Sequence, residues 1–326
     1  MGAPLLILAP LRGVTPLEFR LCLARLAPGF DLAYSPFIPT MGGRRVKAAA
    51  LRDVLPEANA GALPLVPQAI GKNPADFATL VSALRDLGYT RCDLNAGCPW
   101  PMIVRRGRGA GLLNAPATLF AMLDAGCAAL PGGISLKARL GVDDPKTLPG
   151  LIDRLNAYPL AALAIHARTA RQMYGGPPDL ESFAECLGAA KMPVIYNGDI
   201  FTPADASRIL ARFPALAGLM IGRGAARDPT LALQIKSGPP ADRDRRLAEF
   251  EATYAALNRE RLSGPGHFLG RMKEFWSYFK DAVPDGERLW RDIRVARTYD
   301  DYDRAASLLK RAASAANKSE ATPSPP

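Results

Sequence analysis

The stretch CDLNAGCP, residues 92–99, is the part of the chain on which both the fold and the site are inferred. Its first four residues are short and apolar enough for a buried strand, and Gly97 and Pro99 end that strand. Cys98 is therefore expected on a loop just past a strand end, with Asn95 near the end of the strand. In a parallel α/β barrel such loops form the reactive face, although a lone cysteine in a turn is more often simply buried.

Short apolar runs of the same kind recur along the first 236 residues, with amphipathic helical patterns between most of them. The other runs are Leu5–Leu8, Asp31–Tyr34, Pro64–Ile70, Ile134–Leu140, Ala161–His166, Pro193–Asn197 and Leu216–Ile221. Strand–helix alternation predicts a parallel sheet in an α/β protein, and eight runs favour closure into a (β/α)8 TIM barrel. An open doubly wound sheet is the main alternative, but no GxGxxG follows the first run.

Polar or special residues stand at the C-terminal end of nearly every predicted strand. A barrel strand is buried on both faces and should be apolar throughout, and burying unpaired amide, ammonium or imidazole groups is costly. Each residue alone also fits an ordinary structural role, so their common position is what predicts one ligand at the barrel mouth. The residues are Ala9, Pro10, Gln68, Asn95, Lys137, Arg139, His166, Arg168, Asn197, Asp199, Gly222 and Arg223.

The loops after the seventh and eighth predicted strands indicate a phosphate site, because such loops often bind phosphate in these barrels. Gly198 and Gly222 let backbone N–H groups approach an oxygen closely, and Arg223 adds a forked cation suited to phosphate. We therefore predict a phosphorylated cofactor across the barrel mouth. An isoalloxazine ring would then lie near Cys98, with Lys137 close enough to stabilise negative charge on the reduced flavin.

The composition indicates which kinds of partner and which cellular compartment to expect. The chain carries 41 Lys and Arg against 31 Asp and Glu, a net charge of +10, which suggests a polyanionic partner but also fits a basic protein without one. Five cysteines without a CxxC pair, and no secretory n-region, predict reduced thiols in a cytoplasmic protein. Two histidines are too few for a zinc cluster and the apolar start is too short to cross a bilayer, so we predict no metal and no membrane partner.

The pattern changes after the Ser-Gly-Pro-Pro linker at residues 237–240. We predict a cofactor-binding barrel over residues 1–236, a small all-α helical bundle of about four helices over residues 241–312, and a disordered tail over residues 313–326. Basic side chains in the bundle are interleaved with Trp276, Tyr278 and Trp290, a mixture that suits an RNA backbone with occasional base stacking. An aromatic core with solvated charges fits the same pattern.

These fragments, in this order, resemble the tRNA-dihydrouridine synthase family. The resemblance covers most of residues 8–225. It is carried by Ala-Pro at 9–10, Gln68, the cysteine stretch, GRGAGLL at 107–113, KAR at 137–139, HART at 166–169, NGD at 197–199 and MIGRG at 220–224. The chain length and RMKEFWSY at 271–278 look most like the short bacterial C-type subclass, which acts on position 16 of the tRNA D-loop.

The resemblance implies an FMN-dependent reduction of a uridine C5–C6 bond in tRNA, with NADPH as the reductant. Cys98 would give the proton to C5, and the reduced flavin would give hydride to C6. The implied FMN ligands are Ala9, Pro10, Gln68, Lys137, His166, Asn197, Asp199, Gly222 and Arg223. The residues expected to bind the substrate are Asn95, Arg105, Arg106, Arg139, Arg168, Arg271 and Lys273. We expect a monomer that binds tRNA.

Three residues depart from the family pattern. Leu11 replaces the Met that usually follows Ala-Pro, a mild change of shape. Pro101 stands where the cysteine loop often carries Lys, and the nearby arginines are expected to compensate for that cation. Ala167 replaces the usual Gly after the histidine and is expected to crowd the flavin slightly.

Two other functions remain open from the residues alone. One is a flavin barrel that reduces a free pyrimidine or another small enoyl-type substrate, and the basic bundle argues against it. The other is a non-catalytic RNA-binding protein on an inherited barrel, and the retention of Cys98, Lys137 and His166 argues against that.

Overall fold

The computed structural model describes residues 4–42 and 46–320. Its strands are β1 (Leu5–Leu8), β2 (Leu32–Tyr34), β3 (Ile38–Pro39), β4 (Leu65–Val66), β5 (Gln68–Ile70), β6 (Cys92–Ala96), β7 (Ile134–Gly141), β8 (Ala162–Thr169), β9 (Val194–Asn197) and β10 (Gly218–Ile221). Its helices are α1 (Leu17–Leu26), α2 (Ala48–Leu51), α3 (Pro74–Asp86), α4 (Pro101–Val104), α5 (Pro116–Ala129), α6 (Ile152–Leu155), α7 (Leu180–Ala189), α8 (Pro203–Arg212), α9 (Arg223–Arg227), α10 (Leu231–Ser237), α11 (Arg243–Arg261), α12 (Gly264–Phe279), α13 (Gly286–Val295) and α14 (Tyr299–Glu320). Short 3-10 helices cover Gly109–Asn114, Pro149–Leu151 and Lys280–Ala282.

The strands form a closed parallel barrel, which confirms the predicted fold. Their order in the sheet is β3-β5-β6-β7-β8-β9-β10-β1-β2-β4, and every pairing is parallel. β4 and β5 are two parts of one strand separated by Pro67, which has no N–H for the ladder. Since β4 pairs with β2 and β5 pairs with β6, the ring closes there. Joining β4 to β5, and setting aside the two-residue β3, reduces the ten segments to the eight predicted strands.

Helix boundaries follow local capping chemistry. The side chain of Asn73 accepts from the Asp76 N–H at the start of α3, and Pro74 occupies the first turn, where its missing N–H costs nothing. Thr202 and Asp205 form a reciprocal capping box at the start of α8. These signals fix where α3 and α8 begin.

The core has two layers. A small inner cluster fills the barrel, and a large outer cluster lies between the strands and the helices. On β8, His166 and Arg168 alternate with Ala167, whose fully buried side chain belongs to the outer cluster. Ala167 therefore does not crowd the barrel mouth, and the expectation based on the missing glycine is wrong. The Ala167 methyl group packs in the outer cluster, between the strands and the helices.

The C-terminal helices pack on the barrel through a continuous aromatic core. The ring of Phe19 on α1 lies 5.2 Å from that of Phe250 and 5.7 Å from that of Tyr254, both on α11. A 2.6 Å ion pair joins Arg261 to Glu18 at the same junction. The outer cluster of the barrel runs without interruption into these helices, so the bundle is seated firmly against α1.

The end of the chain differs from the prediction. The backbone of α14 is helical to Glu320, eight residues into the predicted disordered tail at 313–326, and residues 321–326 lie outside the described residues. Residues 311–317 read RAASAAN, and four alanines give this stretch a high helix propensity that outweighs its polarity. Within the described ranges, no single helix is long and apolar enough to cross a membrane. One pair bent by 82°, Pro101–Asn114 with Pro116–Ala129, passes that test by composition.

Candidate active site

The register of the sheet gathers polar side chains at one end of the barrel. Asn95 on β6 pairs with Lys137 on β7, and Arg139 pairs with His166 on β8. His166 in turn pairs with Asn197 on β9. Because side chains alternate along a strand and the strands are in parallel register, these residues face the same barrel mouth.

A cleft opens at this end of the barrel and spans about 1040 Å³, counted out to the surrounding solvent. Most of the residues predicted from the sequence converge on it. The predicted residues that line the cleft are Ala9, Pro10, Asn95, Cys98, Lys137, Arg139, His166, Asn197, Gly222 and Arg223.

The loop that carries Cys98 is fixed by Asn95 and Gly109. The Asn95 side-chain oxygen accepts from the backbone N–H groups of Gly97 (3.0 Å) and Cys98 (2.8 Å). Gly109 has a positive φ of 56°, and a Cβ there would lie 2.8 Å from the Cys98 Cβ. A glycine is therefore required for the 3-10 helix at Gly109–Asn114 to pack against the cysteine. This arrangement holds the thiol at the cleft wall.

Burial raises the pKa of the Cys98 thiol, and four neighbours partly oppose that shift. The backbone N–H of Trp100 hydrogen-bonds the sulfur, and the Arg139 guanidinium lies nearby. The thiol therefore holds its proton at neutral pH, while the surrounding donors and cations reduce the cost of a thiolate.

Three neighbouring strands set the charge of the cleft. Burial, and then the charge of Arg139, lower the pKa of Lys137 to about 8, and its ammonium donates to the Asn197 side-chain oxygen at 2.9 Å. Asn197 donates in turn to the Met220 carbonyl at 2.7 Å. Burial and the nearby cations hold the pKa of His166 well below its usual value, so its imidazole is neutral. The cleft is thus cationic overall, with one neutral imidazole.

Gln68 lies one layer below the cleft and does not line it. Its amide nitrogen donates to Asp93 at 2.7 Å, and its amide oxygen accepts from Asn95 at 2.7 Å. Asp93 also accepts from the Ser135 hydroxyl at 2.7 Å. Gln68 therefore fixes the orientation of Asn95, and its direct contact with the cofactor stays a prediction from the family resemblance.

The buried Asp93 gives the protein a pH-dependent stability. Burial raises its pKa from 3.8 to about 7 against the hydrogen bonds from Ser135 and Gln68. The folded state therefore keeps a proton that the unfolded chain has lost, and this stabilisation is lost as pH rises through 7. We expect urea denaturation to show a loss of about 2 kcal/mol between pH 5.5 and 7.5 that is absent from Asp93→Asn. Equal pH dependence in the two proteins would contradict this account.

Asp199 pairs with the buried Arg168 and with Arg223. The Arg168 guanidinium donates to Asp199 at 2.5 and 3.0 Å and to the carbonyl of Gly176. Arg223 donates to the same carboxylate at 2.6 Å. Arg168 is fully buried and does not line the cleft, and its contact with the substrate stays a prediction. Asp199 orients Arg223, and its role as a cofactor ligand also stays a prediction.

The remaining predicted substrate residues lie away from the cleft. Arg105 and Arg106 are exposed, just after α4 on the cysteine loop. Lys273 donates to the carbonyl of Ala296 at 2.7 Å, at the end of α13. Arg271 is half-buried beside Tyr254. The two bundle residues are therefore directed into the protein.

Trp276 also differs from the prediction of base stacking. Its side chain is fully buried and donates to the Tyr302 hydroxyl at 3.2 Å. It belongs to the core of the bundle, as the alternative reading of the aromatic pattern allowed.

Several cleft residues were missed in the sequence. Tyr174 lies beyond β8 with its ring centroid 4.3 Å from the Arg223 guanidinium carbon, and the preceding Met173 has a left-handed φ of 52°. Glu274 and Tyr278 reach the cleft from α12; Tyr278 was predicted to stack on bases, but neither residue was placed at the cleft. Their spacing of four residues on one helix face was the available signal. The other cleft residues that were missed include Arg12, Val14, Phe37 and Trp100.

The cleft fits a phosphorylated flavin. A Cβ at Gly222 would lie 3.2 Å from the Ala9 Cβ, and one at Gly198 would lie 2.1 Å from the Tyr196 hydroxyl. Both positions therefore favour glycine, and no side chain covers the backbone there. Arg223 projects beside Gly222 as a forked cation for an anion. Lys137 supplies positive charge deeper in the cleft. Within the described residues, no group of three or more His, Cys, Asp or Glu is placed to hold a metal ion.

Comparison with known proteins agrees with this chemistry. The model of the family described as dihydrouridine synthase matches residues 7–307. A tRNA-dihydrouridine(16) synthase from Cupriavidus necator is 33% identical over 95% of this chain and 98% of its own length. One from Ralstonia nicotianae is 32% identical over 89% and 91%.

The barrel also resembles more distant solved structures. The old yellow enzyme homologue from Zymomonas mobilis superposes with a TM-score of 0.54 over 73% of this chain and 90% of that chain, at 12% identity. At that identity the similarity supports the fold alone. The family match spans the barrel, the cysteine loop and most of the bundle. The chain therefore belongs to the dihydrouridine synthase family, flavin-dependent oxidoreductases that use FMN and a reduced nicotinamide to convert uridine in tRNA to dihydrouridine.

Proposed function

We propose that this enzyme reduces the uridine at position 16 of the tRNA D-loop, with NADPH as the reductant. The names of the two relatives, which align with nearly the whole chain, support the position. The single observation that carries the chemistry is a protonated Cys98 thiol in a cationic cleft at the barrel mouth.

The reaction adds one hydride and one proton across the C5–C6 double bond of uracil. FMN, when bound, supplies the hydride to C6. We assign the proton for C5 to the Cys98 thiol, because burial keeps it protonated at neutral pH. Arg139, Arg12 and Lys137 each lower the thiol pKa from their positions around it, so they stabilise the thiolate left after transfer. Water then returns the proton to the sulfur.

Two side chains keep hydrogen-bond donors available for the uracil edge. The Asn95 amide has two N–H groups, of which Gln68 accepts one. Arg139 donates from Nε to Gly97 at 3.0 Å and from Nη1 to Thr169 at 2.8 Å, which leaves Nη2 for a ligand. We assign both to the uracil carbonyl oxygens. Cytosine presents an amino donor in place of O4, so a set of donors favours uracil over cytosine.

The same cleft would hold the cofactor by its loops. Gly222 and Arg223 would contact the phosphate, and the backbone of Ala9 and Pro10 would line the neighbouring wall. Lys137 would lie where negative charge develops on the ring system. Gln68 and Asp199 would act through Asn95 and Arg223. The polar atoms of both side chains already have partners within the protein.

The bundle is proposed to orient the tRNA. A uridine in the D-loop must leave its stack to reach the barrel mouth, and Glu274 and Tyr278 of α12 form part of the wall it would pass. The net charge of +10 favours a polyanion and predicts binding that weakens as salt rises. We propose a monomer that acts on tRNA in the cytoplasm. A free-pyrimidine reductase is not favoured, because it would have no use for a bundle at the cleft.

The direct test is to map dihydrouridine in tRNA from a deletion strain, with and without the gene restored. We expect dihydrouridine to disappear at position 16 alone and to return on complementation. Loss at another D-loop position would overturn the assignment of the site but not the chemistry. Unchanged tRNA, together with reduction of free uracil by the purified enzyme, would favour the small-molecule alternative.

A further inference from the structure

Trp100 is an exposed tryptophan on the rim of the active-site cleft. It lines the cleft beside Cys98, yet 63% of its surface is accessible. The chain has three tryptophans, of which Trp276 is fully buried and Trp290 is half-buried. A tryptophan normally gains stability by burial, so this exposure is not explained by packing of the described residues.

The backbone of Trp100 has a defined conformation. Pro101 restricts the backbone of the residue before it to extended conformations, and Trp100 is the N-cap residue of α4. Its carbonyl accepts from the N–H groups of Ile103 (2.8 Å) and Val104 (3.0 Å), and its own N–H hydrogen-bonds the Cys98 sulfur. The side chain of Trp100 is therefore attached to a fixed backbone position next to the proposed proton donor.

The surroundings of Trp100 favour an anionic partner. Arg105 and Arg106 are exposed on the following turn, and the sequence contains no acidic residue between Asp93 and Asp124. A ligand that combines a flat π-face with negative charge is a nucleotide. An apolar protein surface would have to desolvate these arginines without a counter-charge.

We propose that Trp100 stacks on the base of the tRNA nucleotide adjacent to the target uridine. This proposal rests on the proposed function. When the uridine leaves the stack, its neighbour loses a stacking partner, and an indole ring at the rim replaces it. Aromatic–base stacking of this kind changes affinity by about tenfold or more.

The first test compares two exposed side chains of the same loop. We expect Trp100→Ala to raise the KM for unmodified tRNA about tenfold while Trp100→Phe keeps most of the affinity. Met102→Ala is the matched control, because Met102 is 61% exposed on α4 but does not line the cleft. Reduction of bound flavin by NADPH without tRNA should be equal in all four proteins. Equal effects of Trp100→Ala and Met102→Ala on KM would overturn the proposal.

The second test removes the base instead of the ring. Synthetic tRNA that lacks the base on either side of the target uridine is bound by wild type and Trp100→Ala. For wild type, we expect one of the two abasic tRNAs to bind about tenfold more weakly than intact tRNA. For Trp100→Ala, we expect that abasic tRNA and intact tRNA to bind with equal affinity. If removal of the base and removal of the Trp100 ring weaken binding by independent factors, for both abasic tRNAs, stacking on a neighbouring base is rejected. Because both tests use any uridine that wild type reduces, they can fail while the proposed function stands; a wild type that reduces no tRNA uridine rejects the function itself.

Discussion

Replacing Cys98 by alanine is expected to lower the rate of uridine reduction by about 10²- to 10⁴-fold, the usual contribution of a positioned acid. The loop should survive, because its fixed contacts are made by the backbone. The Cys98 N–H donates to Asn95, and its carbonyl accepts from the Ala110 N–H at 3.1 Å. FMN content and tRNA affinity are therefore expected to stay at wild-type levels. Dihydrouridine formed per enzyme, with NADPH and unmodified tRNA, measures the effect.

A second cysteine provides the control for this prediction. Cys127 is also a free thiol, but it is half-buried on α5 and does not line the cleft. Cys127→Ala should reduce tRNA at the wild-type rate. If Cys98→Ala turns over normally, or if both variants lose activity equally, Cys98 is not the proton donor.

Removal of the Arg223 guanidinium is expected to weaken FMN binding by about 10- to 100-fold, since hydrogen bonds to charged groups contribute about 1.5–3 kcal/mol. Arg223 is the cation beside the bare Gly222 backbone, and Asp199 holds it there at 2.6 Å. In Arg223→Ala the Asp199 carboxylate also loses one of its two cationic partners, which adds repulsion toward a phosphate. Fluorescence titration of the flavin-free protein with FMN measures the change.

The matched variant for Arg223 lies one turn further along α9. Arg227 carries the same charge but pairs with Asp281 at 3.3 Å and does not line the cleft. Arg227→Ala should bind FMN as wild type does. Unchanged affinity in Arg223→Ala would rule out the phosphate contact, and equal weakening in both variants would indicate a general effect of charge.

The barrel could be predicted from the eight alternating apolar runs, and the site at its mouth from polar residues that end those runs. Lys137 and His166 lie in otherwise apolar runs, and the β-register brings them together at one mouth. The alternation of side chains along a strand could not show that Arg139 lines the cleft and Arg168 does not. Both arginines lie near a strand end. Asp199, just after the next strand, pairs with Arg168, which is buried and does not reach the cleft. That distinction depends on a partner distant in the chain.

The bundle was harder to predict at the level of side chains. Trp276 and Tyr278 are two residues apart on α12, yet Trp276 is buried in the core while Tyr278 lines the cleft. The difference depends on which face of α12 meets the barrel, where the ring of Phe275 lies 6.3 Å from that of Phe19 on α1. Tyr174 was missed for a different reason, since it lies on an irregular loop with no periodic pattern.

The most direct measurement of the central claim is a single turnover of enzyme reduced beforehand with NADPH. Reduced protein is mixed without oxygen with unmodified tRNA, and the return of the flavin absorbance is followed in wild type and Cys98→Ala. We predict rapid reoxidation in wild type, and reoxidation at least 100-fold slower in the variant at equal tRNA occupancy, because about 10²-fold is the lower bound for a positioned acid. Equal rates in the two proteins would contradict the assignment of Cys98 as the proton donor.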